Sequence, residues 1–434
     1  MNYVTPLKCR IIAFICKICF RSRYSKSLQK KFLKQLLSYV REHNRYFNSL
    51  LQGKKITANN ALETLKSLPL LSKDIIYKQG NNIYNDNIKG DWKRWRNTGG
   101  STGTPLKFPV YYLKSFFFDK ELIHQAYLYA KMGCSVYDKI AAFDGSRIKN
   151  EDVKDNVFWI FKDSGFPYGN IRYSTLYLNE KNFDHYFKSI NNEKPKIIRG
   201  YPSGVKTFCQ YMKDKKIKLS FKLKAVYLTS ENFDEEMSSF ISEILECDVW
   251  GQYGHSEISI FAYKKPHEYC YYCSPLYGVT EILDEEGNHV KEGECGEIVV
   301  TGFSNVGLPF IRYKTGDLAV YGGTKKNGTV IINNLLGRSK DYIYDKHGNK
   351  VYLVGFIFGG HIKAFNNIKE WQIHQSEKGK LSIHIVKGAT FTQETEKEIL
   401  SFFRNNDFDI EIDYKDKIEK TIRGKQKFLI QDLK

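Results

Sequence analysis

The sequence lacks an apolar run long enough to cross a bilayer. The run near its start, residues 11–20, is interrupted by Lys17, and a membrane-spanning helix needs about 20 apolar residues. No small-residue cleavage site follows, so we expect no signal peptide. Basic residues flank the run: Lys8, Arg10, Arg21 and Arg23. Residues 1–27 are therefore predicted to be a basic amphipathic segment, which either packs on the main domain, the favoured interpretation, or contacts an anionic membrane surface.

Several familiar signatures are also missing. Neither the GxxxxGK[ST] phosphate loop nor the GxGxxG dinucleotide fingerprint occurs. No RNA-binding or helix-turn-helix signature is present, so we expect no nucleic-acid partner. Acidic residues are outnumbered, with 48 Asp+Glu against 67 Lys+Arg and a net charge of +19. This balance favours an anionic ligand, although a basic, solubilising surface would have the same composition.

The cysteines do not form a disulfide framework. There are nine of them, an odd and scattered set that is typical of a reducing compartment, so we expect a cytoplasmic protein. Cys270 and Cys273 are close together, with His255 and His267 nearby. A zinc site needs four ligands, and an aromatic-rich strand is the simpler interpretation of residues 269–273. The sequence alone does not decide whether these two cysteines bind zinc.

The order of apolar runs indicates an α/β fold. Short runs at residues 140–143, 196–200, 225–228 and 247–250 are separated by longer segments that favour helices. Polar residues follow each run, and the carboxyl edge of an open α/β sheet is where ligands bind. Strands and tight turns are predicted from 268 to 322. We expect a large domain over residues 1–338 and a small α+β domain over residues 339–434.

One glycine-rich stretch is the strongest candidate for a ligand-binding loop. Asn97–Pro105 contains three glycines together with serine and threonine hydroxyls, just before an extended run. Glycine allows the backbone to turn its N–H groups inward, and such a concave site with added hydroxyl donors suits a polyphosphate. A flexible turn between strands is the alternative interpretation.

This stretch resembles the TSGSTGxP phosphate loop of the adenylate-forming enzymes. The matching residues are Thr98, Gly100, Ser101, Thr102, Gly103 and Pro105, while Gly99 stands where the family usually has serine. Four further family motifs are matched in order, at 253–257, 313–317, 337–341 and 421–425. Other segments resemble the phenylacetate–CoA ligase branch and its capsule-biosynthesis CapK-like group: 68–73, 199–203, 228–231 and 308–313. Two positions depart from the family pattern: Glu419 replaces a common proline, and Phe428 an arginine.

The resemblance implies a fold and a reaction. It implies a large N-terminal adenylate-forming domain with βαβ sheets and a β-rich subdomain, followed by a small mobile C-terminal domain. The implied enzyme is an ATP- and Mg²⁺-dependent ligase that converts a carboxylic acid to an acyl adenylate. The acyl group would then pass to CoA or to an amine or hydroxyl acceptor, such as an amino sugar in surface polysaccharide biosynthesis. The alternative is a catalytically inactive nucleotide-binding protein, or a membrane-peripheral protein, on the same fold.

The resemblance also implies roles for individual residues. The predicted ATP-binding residues are Thr98, Gly100, Ser101, Thr102, Gly103, Ser230, Glu231, Tyr253, Asp317 and Arg338. Glu257 would hold Mg²⁺, Lys425 would bridge the carboxylate and the α-phosphate, and Lys340 would be the hinge of the small domain. The predicted acid pocket contains Tyr201, Gly251, Gln252 and His255. Taken singly, each of these charged residues has an ordinary alternative, such as a turn aspartate for Asp317 or a solvated tail lysine for Lys425. The acid, the acceptor and the oligomeric state are not readable from the sequence.

Overall fold

The computed structural model describes most of the chain. The described residues are 24–85, 88, 92–98, 106–112, 120–163, 165–305, 307–338, 341–353, 356–357, 363–388, 390–419 and 427–433. Most of the predicted N-terminal segment lies outside them, as do four predicted phosphate-binding residues, the hinge lysine and the catalytic lysine: Gly100, Ser101, Thr102, Gly103, Lys340 and Lys425. Among the helices of these described ranges, none is long and apolar enough to cross a membrane.

Helices come first in the described chain. They are α1 (Ser25–His43), α2 (Arg45–Leu51), α3 (Ala61–Lys66) and α4 (Lys73–Gln79). The apolar spacing predicts one helix over residues 28–52, but the structure has two, because Asn44 is extended and its side chain accepts a hydrogen bond from the Phe47 N–H. Asparagine is a strong N-cap and so starts a new helix there. The predicted cap at Ser72 is confirmed by its bond from the Ile75 N–H.

A hairpin and a helix separate these from the main sheet. The hairpin pairs β1 (Trp92–Asn97) with β2 (Lys107–Tyr112) in antiparallel fashion, and α5 follows (Lys120–Lys131). The sequence predicts a helix over 115–131, and α5 accounts for its described part. The hairpin flanks the glycine-rich stretch and packs on the large domain through the rings of Phe108 and Phe310, whose centroids are 5.3 Å apart.

The main sheet has twelve strands, and its parallel half carries the candidate site. This half contains β3 (Ile140–Asp144), α6 (Asn150–Lys154), β4 (Trp159–Phe161), β5 (Ile171–Ser174), α7 (Phe183–Glu193), β6 (Ile197–Gly200), α8 (Pro202–Asp214), β7 (Ala225–Thr229), α9 (Glu235–Leu245) and β8 (Val249–Gly254). Strands β5, β3, β6, β7 and β8 are neighbours in that order and run parallel. The βαβ pattern predicted from the sequence is confirmed.

Helices cover both faces of the parallel half. On one face Ile198, Val226 and Leu228 are fully buried in a core that includes residues of α7, α8 and α9. On the other face Ile197 and Tyr227 are buried in a core that includes residues of α1 and α5. The two faces use alternate residues of the same strands, as the pleat of a β-strand requires. Burial on both sides explains why these strands read as continuous apolar runs.

The other half of the main sheet is antiparallel. It contains β9 (Phe261–Lys264), β10 (Tyr271–Cys273), β11 (Gly278–Leu283), β12 (Cys295–Gly302), β13 (Tyr313–Thr324) and β14 (Val330–Arg338). From β8 the strands continue in the order β9, β10, β14, β13, β12 and β11. The strands and tight turns predicted for residues 268–322 are therefore confirmed.

A smaller C-terminal domain has its own sheet. Its elements are β15 (Tyr342–Tyr344), β16 (Lys350–Tyr352), a 3₁₀ helix (Lys363–Asn367), β17 (Ile368–Glu377), β18 (Lys380–Lys387), α10 (Gln393–Arg404), β19 (Asp409–Tyr414) and β20 (Leu429–Gln431). Four strands pair in the order β19, β18, β17 and β20, and Ile373, Ile383 and Phe403 lie in a separate core. The Thr392 cap predicted for α10 forms a capping box with Thr395. The boundary at residue 338 stays a prediction.

Lysines join the small domain to helix α8 of the large domain. The Lys206 ammonium donates to the backbone carbonyls of Phe365 (3.2 Å) and Ile368 (3.4 Å). The Lys369 ammonium lies 4.0 Å from the Asp214 carboxylate. Burial lowers the pKa of Lys206 to about 8, because the charged form loses its hydration.

A buried arginine ties the first helices to the antiparallel half. Arg312 forms a bidentate ion pair with Glu281, at 3.1 and 3.2 Å, and also donates to the carbonyls of Lys66 and Leu68. The Leu71 N–H donates to the Arg312 carbonyl, which joins the two backbones as well. The segments 68–73 and 308–313, singled out by the sequence resemblance, therefore meet in the fold.

Replacing Arg312 by methionine should destabilise the large domain strongly. The change leaves the Glu281 carboxylate buried and unpaired, which costs about 3–5 kcal/mol. Urea unfolding measures this loss. The control is Lys314→Met, because the ion pair of Lys314 with Glu297 is 40% exposed on the lysine side and should contribute at most about 1 kcal/mol. Equal losses of unfolding free energy in the two variants would contradict the proposed stabilising role of the Arg312–Glu281 ion pair.

Candidate active site

The carboxyl ends of β6, β7 and β8 bring most of the predicted pocket together. Tyr201 follows β6, and Ser230 and Glu231 follow β7. Residues 249–254 form β8, so Gly251, Gln252 and Tyr253 lie at its carboxyl end. The strands are in direct register there, with Gly200 paired to Leu228 and Thr229 to Gln252.

The turn after β7 is held by the start of helix α8. Ser230 has a φ of +76°, in the left-handed region. One oxygen of the Glu231 carboxylate accepts a hydrogen bond from the Ser203 N–H at 3.0 Å. A carboxylate at a helix N-terminus also benefits from the helix dipole. Glu231 therefore fixes the turn, and its predicted contact with ATP stays a prediction.

Tyr253, Asp317 and Arg338 form a connected group. The Tyr253 hydroxyl donates to Asp317 Oδ2 at 2.7 Å, and Arg338 Nε lies 3.2 Å from Asp317 Oδ1. Asp317 and Arg338 are direct partners in the pairing of β13 with β14. Burial and the Asp317 charge hold the pKa of Tyr253 well above its usual value. A carboxylate has about four acceptor positions, so Asp317 is oriented by the protein and can still accept from a diol.

Glu257 lies in a cluster of buried polar atoms that lack partners. Glu257 is 7% exposed, and its Oε2 has no hydrogen-bond partner in the described part of the chain. Both ring nitrogens of His255 and the Tyr313 hydroxyl are also buried and have no hydrogen-bond partner among the described residues. His255 Nδ1 is 3.8 Å from Glu257 Oε2, and burial and the Glu257 charge raise the pKa of Tyr313. Unsatisfied buried polar atoms are rare and indicate an ion, a water or a ligand.

The donor set at Glu257 fits Mg²⁺ that is bound mainly by phosphate. This ion is usually held by one or two carboxylates together with waters and substrate phosphate oxygens. Among the described residues, no three His, Cys, Asp or Glu side chains cluster closely enough to hold a metal alone. Glu257 would therefore supply the protein ligand, and the nucleotide would supply the rest.

The predicted acid pocket has tightly packed walls. Gln252 Oε1 accepts a hydrogen bond from the Thr229 hydroxyl at 2.8 Å. A Cβ on Gly251 would lie 2.7 Å from the ring of Phe233, so a larger residue there would push into the wall. Burial, followed by the charges of Asp144 and Glu231, raises the pKa of Tyr201 to about 12. Tyr201 is therefore a neutral hydrogen-bonding group at physiological pH.

Hydrogen bonds hold the two ends of the glycine-rich stretch together. The Thr98 N–H donates to the Leu106 carbonyl at 2.9 Å, and the Leu106 N–H donates to the Thr98 hydroxyl at 3.0 Å. Thr98 is thereby placed as a buried anchor of the stretch, with 2% of its surface exposed. Its hydroxyl accepts from the backbone of the protein, and a direct contact with phosphate stays a prediction.

A cavity between the two domains contains residues that the sequence did not indicate. Its lining includes Ser203, Lys206, Glu231, Lys369, Trp371 and Phe428. Of these, only Glu231 was a predicted site residue. No local pattern in α8 distinguishes Lys206 as a site residue. The role of Trp371 depends on the packing of the domains and leaves no local signal.

The paired cysteines lie at β10 rather than at the candidate site. Cys273 is buried within this strand, and burial raises the pKa of its thiol to about 12. Cys270 comes just before the strand and is partly buried. An aromatic-rich strand, the favoured interpretation of this segment, is observed.

Comparisons with known proteins agree with this fold. Residues 172–307 match the family model described as AMP-binding enzyme. This range includes Tyr201, Glu231, Tyr253 and Glu257. The matched range is similar to AMP-binding enzymes, in agreement with the sequence resemblance. Protein CapK of Staphylococcus aureus is 24% identical over 422 residues, which cover 94% of this chain and 89% of that protein.

Solved structures show the same fold at low sequence identity. A 2-hydroxyisobutyryl-CoA ligase in the postadenylation state matches with a TM-score of 0.70 and 15% identity, over 93% of this chain and 89% of that one. An open conformation of that ligase matches with a TM-score of 0.56. An acyl acid amido synthetase matches with a TM-score of 0.54 and 13% identity, over 95% and 90% of the two chains.

Proposed function

We propose that this protein uses ATP and Mg²⁺ to convert a carboxylic acid to an acyl adenylate and then transfers the acyl group to an acceptor. The observation that carries the proposal is Glu257 Oε2, which is buried without a hydrogen-bond partner among the described residues, together with the Tyr253–Asp317–Arg338 group. Of these residues, Glu257 and Tyr253 lie within the range that matches the AMP-binding enzyme family. A catalytically inactive protein would have no reason to keep a carboxylate oxygen buried without a hydrogen bond, because such burial is costly.

The residues divide the chemistry between them. Asp317 accepts hydrogen bonds from the ribose hydroxyls, and Tyr253 packs against the adenine. Bound Mg²⁺ would neutralise charge on the phosphate oxygens, and Glu257 would hold it. The acid carboxylate, placed by Tyr201, Gly251, Gln252 and His255, attacks the α-phosphorus. Pyrophosphate leaves, and Lys425 balances the negative charge that develops between the two reactants.

Two kinds of acceptor remain in the proposal. The structural relatives include a ligase that was solved with CoA and an acyl acid amido synthetase, so a thiol and an amine are both reasonable acceptors. The resemblance to the CapK-like group favours an amino sugar or a hydroxyl of a surface polysaccharide precursor. In that case the enzyme would work in the cytoplasm, at the inner face of the membrane if the basic N-terminal segment binds lipid.

Acid-dependent exchange of pyrophosphate into ATP tests the proposal directly. The panel contains aryl acids, fatty acids, hydroxy acids, dicarboxylic acids and amino acids, each with and without Mg²⁺. One class of acid should stimulate exchange, and removal of Mg²⁺ should abolish it. Binding of Mg-ATP without exchange across the whole panel would favour the inactive alternative.

Replacing Lys340 by proline should separate the two half-reactions. Relatives of this fold rotate the small domain about the hinge position, and proline restricts the backbone there. Acid-dependent exchange should remain within a few-fold of wild type, while acyl transfer falls by at least about tenfold. Glu419→Pro, at a position where relatives commonly have proline and away from the hinge, is the control. Equal loss of both half-reactions in Lys340→Pro would contradict a hinge role.

A further inference from the structure

Arg199 is a charged residue in the middle of the parallel half of the sheet. It lies on β6, one residue before the strand ends, and is paired with Ala142 on one side and Tyr227 on the other. Its side chain is on the same face as Ile197 and Tyr227, because alternate residues of a strand share a face. This is the face that α5 covers. An arginine at such a position needs an explanation, since the neighbouring strand residues are apolar.

The Arg199 guanidinium lies near two tyrosine rings, and no counter-ion contacts it in the described part of the chain. Its central carbon is 5.1 Å from the ring centroid of Tyr227 and 5.4 Å from that of Tyr168. The Nε atom is buried and has no hydrogen-bond partner within the described ranges. No described carboxylate forms an ion pair with it within 4.0 Å. Arg199 is nevertheless only partly buried. Tyr168, which contacts it, has 43% of its surface exposed to solvent.

The nearby acid is already engaged by other groups. The charge of Glu121 on α5 acts on Arg199. However, the Glu121 carboxylate accepts a hydrogen bond from the Tyr277 hydroxyl at 2.6 Å and another from the Gln125 amide at 3.0 Å. Contacts with aromatic faces offset part of the desolvation of a guanidinium, but the buried Nε is left without an acceptor among the described residues. A bound anion would complete the site.

The position of Arg199 connects it to the predicted acid pocket. Thr229 lies two residues after Tyr227 on β7, and it is paired with Gln252 on β8. These two side chains are hydrogen-bonded to each other and share the face of Arg199. Two residues of a strand span about 7 Å. Arg199 therefore lies on the same face of the sheet as the pocket residues Thr229 and Gln252, about two residues further from the carboxyl edge.

We infer that Arg199 binds a second anionic group of the acid substrate, so that the substrate class is the dicarboxylic acids. One carboxylate is activated at the carboxyl edge of the sheet, and the other reaches down to the guanidinium. A guanidinium matches a carboxylate through two parallel hydrogen bonds, and the tyrosine rings keep its plane fixed. The inference deepens the proposed function and rests on it for the identity of the first carboxylate.

Matched pairs of acids test the inference. Pyrophosphate exchange is measured with each linear dicarboxylic acid from four to seven carbons and with the monocarboxylic acid of equal length. Wild type is compared with Arg199→Met and with Arg404→Met, a control at an exposed arginine of α10. Thermal unfolding and Mg-ATP binding are measured for each variant, so that a folding defect is recognised.

Wild type should prefer one dicarboxylic acid to its monocarboxylic partner. Arg199→Met should lower kcat/KM for that dicarboxylic acid by at least about 30-fold, with little change for monocarboxylic acids, and Arg404→Met should match wild type. A preference for monocarboxylic acids, or equal losses for both members of a pair, would overturn the inference.

Direct binding separates failure of the inference from failure of the proposed function. If no acid supports exchange, dicarboxylic acids are titrated against the protein with a non-hydrolysable ATP analogue, and thermal unfolding is followed. A stabilisation that is present in wild type and lost in Arg199→Met would support the anion site while the proposed reaction fails. No stabilisation in wild type would overturn both.

Discussion

Glu257→Gln is expected to lower acid-dependent pyrophosphate exchange by about 100- to 1,000-fold. Glutamine keeps the shape of the side chain but removes the negative charge that would hold Mg²⁺. Glu257 Oε2 has no hydrogen-bond partner within 3.5 Å among the described residues, and glutamine keeps an acceptor oxygen towards the Tyr313 hydroxyl. The free energy of unfolding should therefore stay within about 1 kcal/mol of wild type. The expected result is thus an inactive but folded protein.

The dependence on Mg²⁺ concentration gives the sharper measurement. Glu257→Gln should need much more Mg²⁺ for its residual exchange than wild type does. Glu377→Gln is the matched control, because Glu377 forms an exposed ion pair with Lys380 in the small domain, away from the cluster. Exchange in Glu257→Gln with a normal rate and a normal Mg²⁺ requirement would refute the assignment of Glu257 as the metal ligand.

Lys425→Ala is expected to abolish adenylate formation while ATP binding stays largely intact. A lysine that bridges the two reactants stabilises mainly the transition state, so its removal lowers the rate more than the affinity. The exchange rate should fall by at least about 100-fold. Binding of Mg-ATP, followed by the shift in thermal unfolding temperature, should change by no more than a few-fold in affinity.

The control for this experiment is Lys427→Ala. Lys427 is two residues away and exposed; its described contact is made by its backbone carbonyl, which accepts from Gln372 at 2.7 Å. Removing its side chain should therefore leave exchange near the wild-type rate. Near-normal pyrophosphate exchange in Lys425→Ala would refute the catalytic role of Lys425 and leave the alternative of a solvated lysine.

Local signals in the sequence predicted the elements of the fold well. The caps at Ser72 and Thr392 depend on contacts within four residues, and both are observed. The buried strands β6 and β7 are recognisable because apolar side chains are required on both faces. The break at Asn44 was missed, because the apolar spacing continues through it and only the cap chemistry distinguishes two helices from one.

Long-range pairings in the site could not be predicted from the sequence. The motif residues Asp317 and Arg338 were both expected near the nucleotide, but their ion pair results from the register of β13 with β14. The lack of described hydrogen-bond partners for the His255 ring depends on the side chains that pack around it. The spacing of residues in the sequence does not reveal this packing. The sequence motifs assign no role to Lys206 or Arg199. Both residues were identified from their contacts with groups that are distant in the sequence.

A tryptophan in the cavity between the domains can report on their relative movement through its fluorescence. Trp371, one of five tryptophans in the chain, is 6% exposed and lines this cavity opposite α8. Its ring packs on Phe365 and Phe428, inside the small domain. Rotation of the small domain would take Trp371 away from Ser203 and Lys206 and admit solvent to the indole. The emission of this tryptophan would then follow the catalytic cycle in real time without an added label.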